Sequence, residues 1–298
     1  MFKRLIIALI ALVSLGAASA QDTLFPYPVA PDDMTTLQQR CDWLVLRFWD
    51  RCNFDTAFRY PERLHKSFGD WIAIMEHASL DSATVSIDRL IRRFDKKGPQ
   101  TVALAAVAEE WLYSDTTSTF QEELYLPFAT AASNAKKVSG AEKARFAMHR
   151  QVIESSAVGR TVPDLRFIKR DGSTFSLNEI EGKSILLFFN DPDCGDCRLA
   201  KVRLAADYNT NQLIDRGEMA IVSIYPGEPD DDWRNAMATA PENWTVVALP
   251  DADLYFDLSE SPAFFYLNAA KKVLAKHLDP EYLLNAFRAA NMASQNRN

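Results

Sequence analysis

Cysteine and histidine are both scarce in this sequence, with four of each among 298 residues. Four cysteines are too few for a small scaffold held together by disulfide bonds. Cys194 and Cys197 form a Cys-x-x-Cys pair, whereas Cys41 and Cys52 stand apart and do not supply the second half of a zinc site. Zinc binding and an inert structural disulfide remain alternatives, but a catalytic pair is favoured. No metal and no cofactor is predicted.

Positive charge is also in short supply. The sequence has 33 lysines and arginines against 40 aspartates and glutamates, which gives a formal charge of −7. Nucleic-acid binding depends on basic side chains that neutralise phosphates, and no basic stripe or cluster is present. Nucleic acid is therefore excluded as an expected partner.

Long apolar runs are absent after the first twenty residues. Lys3 and Arg4 precede an apolar run over residues 5–15, and an Ala-x-Ala motif ends at Ala20. This is the pattern of a secretory signal peptide over residues 1–20, and its apolar run is too short for an ordinary membrane span. The sequence predicts a periplasmic or secreted protein that is cleaved after Ala20 and does not span the membrane.

The remaining sequence contains two different patterns. Residues 21–34 hold three prolines and predict an extended lead-in. Residues 35–156 carry apolar side chains at helical spacing, which predicts an all-α domain of five to six helices. Residues 158–295 alternate between strand and helix signals and include hairpins, which predicts an α/β domain with a central mixed sheet flanked by helices.

Local signals give several expected helix boundaries in the all-α domain. Pro61 is expected to open one helix, and Asp81 to cap the next. The dipeptide at residues 98–99, Gly-Pro, is expected to stop that helix. Pro127 is expected to kink or break a later helix, which should run over about residues 118–136.

The Cys-x-x-Cys pair follows an apolar strand, residues 185–189, and a polar turn. It precedes a predicted helix that extends to about Ile214. At a helix start, backbone N–H groups and the positive end of the helix dipole favour a thiolate. Cys194 is therefore the expected nucleophile, and Cys197, one turn later and deeper, is the expected resolving thiol.

Three acidic residues surround the pair, namely Asp191, Asp193 and Asp196. Negative charge close to a sulfur opposes thiolate formation. We therefore expect Asp193 and Asp196 to modulate the pair toward a reductant or a slow, specific enzyme. The alternative is that these carboxylates only cap the helix and solvate the turn.

The other chemistry-bearing residues give weaker signals. Cys41 and Cys52 are too far apart to be bridged along one helix, since eleven residues of helix rise ~16 Å. They are interpreted as buried free thiols or small core residues, while a regulatory pair that exchanges with the C-terminal cysteines is a minor alternative. The four histidines, His65, His77, His149 and His277, are scattered and are interpreted as surface or structural residues.

Residues 158–295 resemble the thioredoxin-fold domains of the cytochrome-maturation and peroxiredoxin-like branch. The resemblance rests on five motifs in the family's order, namely Val158-Gly159-x-x-Val162-Pro163-Asp164-Leu165, Asp171-Gly172-Ser173-x-Phe175-Ser176-Leu177, Gly182-Lys183, Cys194-Gly195-Asp196-Cys197 and Ser261-Pro262-Ala263-Phe264-Phe265-Tyr266-Leu267. Residues 35–156 resemble the helical region joined to such domains in exported Gram-negative proteins, where a Phe-Trp-Asp triplet (residues 48–50) followed by Phe54 recurs.

This resemblance implies that Pro262 is cis and faces the cysteine pair, which leaves the backbone of Ser261 free to bind an extended substrate. It also identifies a departure from the family. Phe188 stands where thioredoxins keep a buried acid that relays the proton of the resolving cysteine. Glu260, two residues before Pro262, is a candidate substitute, with a plain surface acid as the alternative.

The favoured function is an exported thiol–disulfide oxidoreductase that acts as a reductant on protein or small-molecule disulfides and is served by an upstream redox partner. The helical domain would supply substrate recognition or the contacts of a homodimer. The alternative is a binding or scaffold protein whose thioredoxin-like domain is redox-inactive. A thiol peroxidase is disfavoured, because Asp191 occupies the position where such a site has threonine.

Overall fold

The computed structural model describes residues 23–114 and 121–295. The predicted signal peptide therefore lies outside the described residues. The chain divides into two compact units, Met1–Arg150 and Gln151–Asn298. The division falls inside a helix, Gly140–Ser156, shortly before the point where the sequence pattern changes. Within the described ranges, no helix combines the length and the apolar character that a membrane crossing needs.

The described part of the first unit consists of helices. A 3₁₀ turn at Phe48–Arg51 follows the first of them. Many of its core side chains are aromatic, and the edges and faces of Phe48, Trp49 and Trp71 pack against one another. The α-helices are α1 (Leu37–Arg47), α2 (Phe54–Ala57), α3 (Pro61–Met75), α4 (Leu80–Arg92), α5 (Gly98–Leu112), α6 (Glu122–Ser133) and α7 (Gly140–Ser156).

Two of the expected helix boundaries in this unit are wrong. The N-cap of α4 is Ser79, whose hydroxyl accepts a hydrogen bond from the backbone N–H of Ser82, so Asp81 lies inside the first turn instead. Pro99 does not stop a helix; it stands at the start of α5, where its missing N–H would have had no helical partner. Pro61 opens α3 as predicted.

Pro127 lies inside α6, which continues across it without a break. A proline at this position removes one backbone hydrogen bond of the helix. The helix also buries Leu124, Tyr125, Phe128 and Ala129 along one face. Burial of that face stabilises the helix in spite of the lost hydrogen bond, which local sequence signals do not report.

The described residues of the second unit form a mixed seven-stranded sheet in the order β2-β1-β5-β4-β3-β6-β7. The central strands β3, β4 and β5 are parallel to one another, and the other neighbours are antiparallel. The strands are β1 (Arg166–Lys169), β2 (Thr174–Ser176), β3 (Ser184–Phe189), β4 (Met219–Tyr225), β5 (Thr245–Ala248), β6 (Ala263–Asn268) and β7 (Val273–Lys276). This is the predicted α/β architecture with a mixed sheet.

Strand β3 is buried on both faces, which explains its continuous apolar run. Ile185, Leu187 and Phe189 point into one core, while Leu186 and Phe188 point into the other. The second core is closed by the helices α8 and α11. The helices of this unit are α8 (Gly195–Ala206), α9 (Tyr208–Asp215), α10 (Asp231–Ala236) and α11 (Pro280–Gln295).

The helix expected from Arg198 to about Ile214 is two helices, α8 and α9. Asp207 separates them with an extended backbone conformation, and its carboxylate accepts hydrogen bonds from the backbone and the hydroxyl of Thr210. Aspartate competes for nearby backbone donors in this way and so favours a new N-cap over an uninterrupted helix.

Candidate redox site

The cysteine pair lies where strand β3 ends and helix α8 begins. Cys194 is the N-cap of α8, and its sulfur accepts a hydrogen bond of 3.0 Å from the backbone N–H of Cys197. A sulfur in this position faces unpaired N–H groups of the first helical turn and the positive end of the helix dipole. The local geometry therefore favours negative charge on Cys194.

The loop that delivers Cys194 is anchored to the sheet by Asn190. The backbone N–H of Asn190 donates to the carbonyl of Ile224, and its buried side-chain amide donates to the carbonyl of Phe188 and the hydroxyl of Ser223, each at 2.9 Å. These three hydrogen bonds fix the start of the loop on two neighbouring parallel strands. The position of Cys194 is therefore tied to the rigid part of the domain.

The acidic residues around the pair also organise this loop. The carboxylate of Asp191 accepts a hydrogen bond of 2.8 Å from the backbone N–H of Asp193, and the carbonyl of Asp191 accepts one from the N–H of Cys194. Asp193 and Asp196 are exposed. Asp191 thus has a structural part in the turn, and modulation of the pair by Asp193 and Asp196 stays a prediction.

Cys194 and Cys197 are joined as a disulfide, with their Cα atoms 5.2 Å apart. Cys194 is half-buried, whereas Cys197 is 2% exposed. An accessible first sulfur and a covered second sulfur are the arrangement that a nucleophile and a resolving thiol need. The assignment of those two roles remains a prediction.

A second loop, which leads into strand β6, covers the disulfide. Its Ser261–Pro262 peptide bond is cis, the isomer that the resemblance implies. The hydroxyl of Ser261 lies 3.1 Å from the sulfur of Cys197 and 3.5 Å from that of Cys194. The sequence singled out Ser261 for its backbone alone, whereas its side chain contacts both sulfurs. A hydroxyl residue directly before the proline was the signal for this contact.

Phe188 occupies the core under the site, where the resemblance places an acid. It is fully buried and stacks on Phe264, with ring centroids 4.8 Å apart. The candidate substitute, Glu260, is exposed. Among the described residues, the side-chain oxygen hydrogen bonded to the Cys197 sulfur is that of Ser261.

A groove of about 560 Å³ runs beside the disulfide, along the cis-proline loop and the start of α11. Apolar groups such as Leu199 and Pro262 contribute to its surface, and its charged groups are mostly acidic. The lining residues are Asp196, Leu199, Ala200, Arg203, Glu260, Ser261, Pro262, His277, Leu278, Asp279, Pro280 and Glu281.

His277 belongs to this groove, although nothing in its sequence surroundings separates it from the other histidines. Its Nε2 atom is 3.5 Å from a carboxylate oxygen of Asp257. Burial raises the pKa of Asp257, but the nearby His277 side chain and a hydrogen bond from the Ser259 backbone N–H outweigh burial and hold that pKa well below its usual range. The backbone of His277 has a positive φ of 50°, and its N–H donates to the carbonyl of Phe264. Only the fold brings these residues together.

The structure confirms that Cys41 and Cys52 are buried free thiols. Cys41 and Cys52 are 5% and 9% exposed and unpaired. Burial raises the pKa of the Cys52 thiol to about 12 and that of Cys41 in the same direction. Neither has the electrostatic surroundings of a reactive thiol.

Residues 14–156 match a family described as a domain of unknown function, DUF5106. No curated protein matches the chain. A crystal structure of a thioredoxin-like protein from Bacteroides caccae is 26% identical; the match covers 89% of this chain and 98% of that chain with a TM-score of 0.68.

Two shorter structures also match. The thioredoxin domain of a thiol–disulfide oxidoreductase from Bacteroides vulgatus is 26% identical, with coverage of 45% of this chain and 98% of that chain and a TM-score of 0.39. A thiol:disulfide interchange protein from Bacteroides sp. is 25% identical, with coverage of 45% and 90% and a TM-score of 0.38.

The sheet order, the disulfide at the start of α8, the facing cis proline and the similarity along most of the chain to a thioredoxin-like protein lead to one conclusion. The second unit has a thioredoxin-like fold, and an all-helical region precedes it along the chain.

Proposed function

We propose that the chain is an exported thiol–disulfide oxidoreductase that reduces disulfides of proteins or small molecules. The observation that carries this proposal is the Cys194–Cys197 disulfide at the N-terminus of α8, with an accessible first sulfur and a buried second one. Reversible thiol exchange needs this asymmetry, because the first thiolate must reach the substrate and the second must wait to resolve the intermediate.

In the reduced protein, the Cys194 thiolate attacks one sulfur of a substrate disulfide. A mixed disulfide forms, and the other substrate sulfur leaves as a thiolate that takes up a proton. Cys197 then gives up its proton and attacks the sulfur of Cys194, which releases the second substrate sulfur, and that sulfur takes up a proton. Two electrons pass from the cysteine pair to the substrate, so a partner dithiol must reduce the pair again.

The reductive direction is supported by the acidic residues near the pair. The carboxylates of Asp191, Asp193 and Asp196 disfavour the thiolate form of the pair. A stabilised thiolate makes a thiol–disulfide protein a strong oxidant, so disfavouring the thiolate favours a reductant. Export is proposed from the leader pattern of residues 1–20. In an oxidising compartment a donor dithiol would be needed to keep the pair reduced.

We propose that the groove beside the cis proline binds the part of the substrate that flanks its disulfide bond. Ser261 and Pro262 line the end of the groove next to the cysteine pair, and residues of α8 and the start of α11 line the rest. A groove of this size accommodates a few residues of an extended peptide or a small organic disulfide.

Reduction of insulin disulfides with dithiothreitol as electron donor tests the proposal. We expect Cys194→Ser to fall to the uncatalysed rate and Cys197→Ser to accumulate a mixed disulfide with the substrate. Cys41→Ser serves as the matched control, and we expect it to retain the wild-type rate. We also expect a reduction potential closer to that of thioredoxin, about −270 mV, than to that of DsbA, about −120 mV.

Two outcomes would contradict this assignment. Full activity of Cys194→Ser would exclude Cys194 as the nucleophile. A wild-type protein that folds but reduces no disulfide above background would favour the alternative of a binding protein.

A further inference from the structure

The hydroxyl of Ser261 lies between the two sulfurs of the redox pair. It is 3.1 Å from Cys197 Sγ and 3.5 Å from Cys194 Sγ, and its geometry toward Cys194 is that of a donor. A hydroxyl has one proton to donate and two lone pairs to accept with. It can therefore serve one sulfur as donor and the other as acceptor at the same time.

Few groups near Cys197 can accept the proton of its thiol. Cys197 is 2% exposed, so bulk water does not reach its sulfur freely. The core position under the pair holds Phe188, which has no proton-accepting group. Glu260 is exposed on the groove. The Ser261 hydroxyl is the side-chain group in hydrogen-bond contact with this sulfur in the described part of the chain.

We propose that Ser261 is a catalytic residue whose hydroxyl stabilises the Cys194 thiolate and moves the proton of Cys197. This inference rests on the proposed oxidoreductase function and gives a side-chain role to a residue that the resemblance implicates through its backbone. In the reduced protein, the Cys197 thiol donates to the Ser261 oxygen while the Ser261 hydroxyl donates to the Cys194 thiolate.

The resolving step balances through the same hydroxyl. In the mixed disulfide, the Cys197 proton passes to the Ser261 oxygen as the hydroxyl proton passes to the departing substrate sulfur. The Cys197 sulfur forms its bond to Cys194, and the bond between Cys194 and the substrate sulfur breaks. The substrate leaves as a thiol, and Ser261 is unchanged.

The test follows the alkylation of Cys194 by iodoacetamide in the reduced full-length chain as a function of pH. We expect Ser261→Ala to alkylate about tenfold more slowly at pH 7 and to need a higher pH for half-maximal rate, because a hydrogen bond to the thiolate is lost. Ser259→Ala, in the same loop, is the matched control and should follow the wild type.

A second pair of variants isolates the hydroxyl from the shape of the side chain. Threonine and valine have nearly the same volume and branching, so Ser261→Thr and Ser261→Val differ mainly in one hydroxyl. We expect Ser261→Thr to alkylate within about twofold of the wild type and Ser261→Val to match Ser261→Ala. This comparison also holds if Ser261→Ala does not fold.

Coincident pH profiles for wild type and Ser261→Ala, or for Ser261→Thr and Ser261→Val, would overturn the role of the hydroxyl. Alkylation needs no disulfide substrate, so this failure is separate from failure of the proposed function. A tenfold alkylation difference in a protein that reduces no insulin supports the hydroxyl contact and overturns only the oxidoreductase assignment.

Discussion

The four cysteines of this chain occupy two opposite settings. In the helical unit, Cys41 points from α1 into the core, and Cys52 follows a 3₁₀ turn and is buried as well. In the thioredoxin-fold unit, Cys194 caps a helix and accepts a backbone N–H, and Cys197 lies one turn behind it. The same side chain is thus a small core group in one unit and half of a disulfide at a helix N-terminus in the other, where a backbone N–H donates to the first sulfur.

The largest effect that tests this comparison is the difference in thiol reactivity. After mild reduction, we expect iodoacetamide to modify Cys194 first. Burial raises the pKa of the Cys52 thiol to about 12, about three units or more above its ordinary value, which lowers its thiolate fraction at least about a thousandfold at neutral pH. Timed alkylation followed by peptide mass spectrometry measures the ratio.

The unfolded chain is the control for this measurement, since all four cysteines should react at similar rates in guanidinium chloride. Modification of Cys41 or Cys52 in the folded protein as fast as Cys194 would remove the distinction between the two settings.

A smaller effect concerns alkaline stability. In the folded unit the Cys52 thiol stays neutral up to about pH 12, whereas in the unfolded chain it ionises above about pH 8.5. Its contribution to stability is therefore complete below that pH and is lost as the pH rises toward about 12. We expect the free energy of unfolding of the wild type, measured with urea, to fall more between pH 8 and pH 10.5 than that of Cys52→Ala, which has no thiol to ionise.

Cys41→Ala provides the internal comparison, because burial raises the pKa of Cys41 too and the trend should have the same direction. Stability curves of wild type and Cys52→Ala that stay parallel over this pH range would show that Cys52 ionises alike in both states.

The smallest effect concerns the charge of the substrate. Asp196, Glu260 and Glu281 line the groove against the single arginine Arg203. We expect Glu281→Gln to lower kcat/KM for the cationic disulfide cystamine about twofold and to raise it slightly for anionic oxidised glutathione. Both changes should shrink in 0.5 M salt, which screens exposed charges.

Glu62→Gln, an exposed charge at the start of α3, is the matched control for net charge. A twofold effect from Glu62→Gln as well, or an effect of Glu281→Gln that salt does not reduce, would show that the groove does not select by charge.

Several features of the fold follow from short stretches of sequence. Pro61 opens a helix because its ring fixes the required φ and the first helical N–H needs no partner. The apolar run of β3 identifies a strand buried on both faces. The boundaries at Asp81 and Asp207 were wrong because the short polar side chains of Ser79 and Asp207 compete for nearby backbone groups. Pro99 opens a helix where it was expected to stop one, because a proline suits either place and local propensity does not decide between them.

The sequence by itself determined the α/β class of the second unit and the position of the Cys-x-x-Cys pair at a strand–helix junction, and it favoured the buried state of Cys41 and Cys52. These depend on periodicity and spacing along the chain. The tertiary structure alone decided the contact of the Ser261 hydroxyl with both sulfurs and the pairing of Asp257 with His277. Ser261 is 64 residues from Cys197, and a contact of a few ångströms across such a separation is set by strand order and packing.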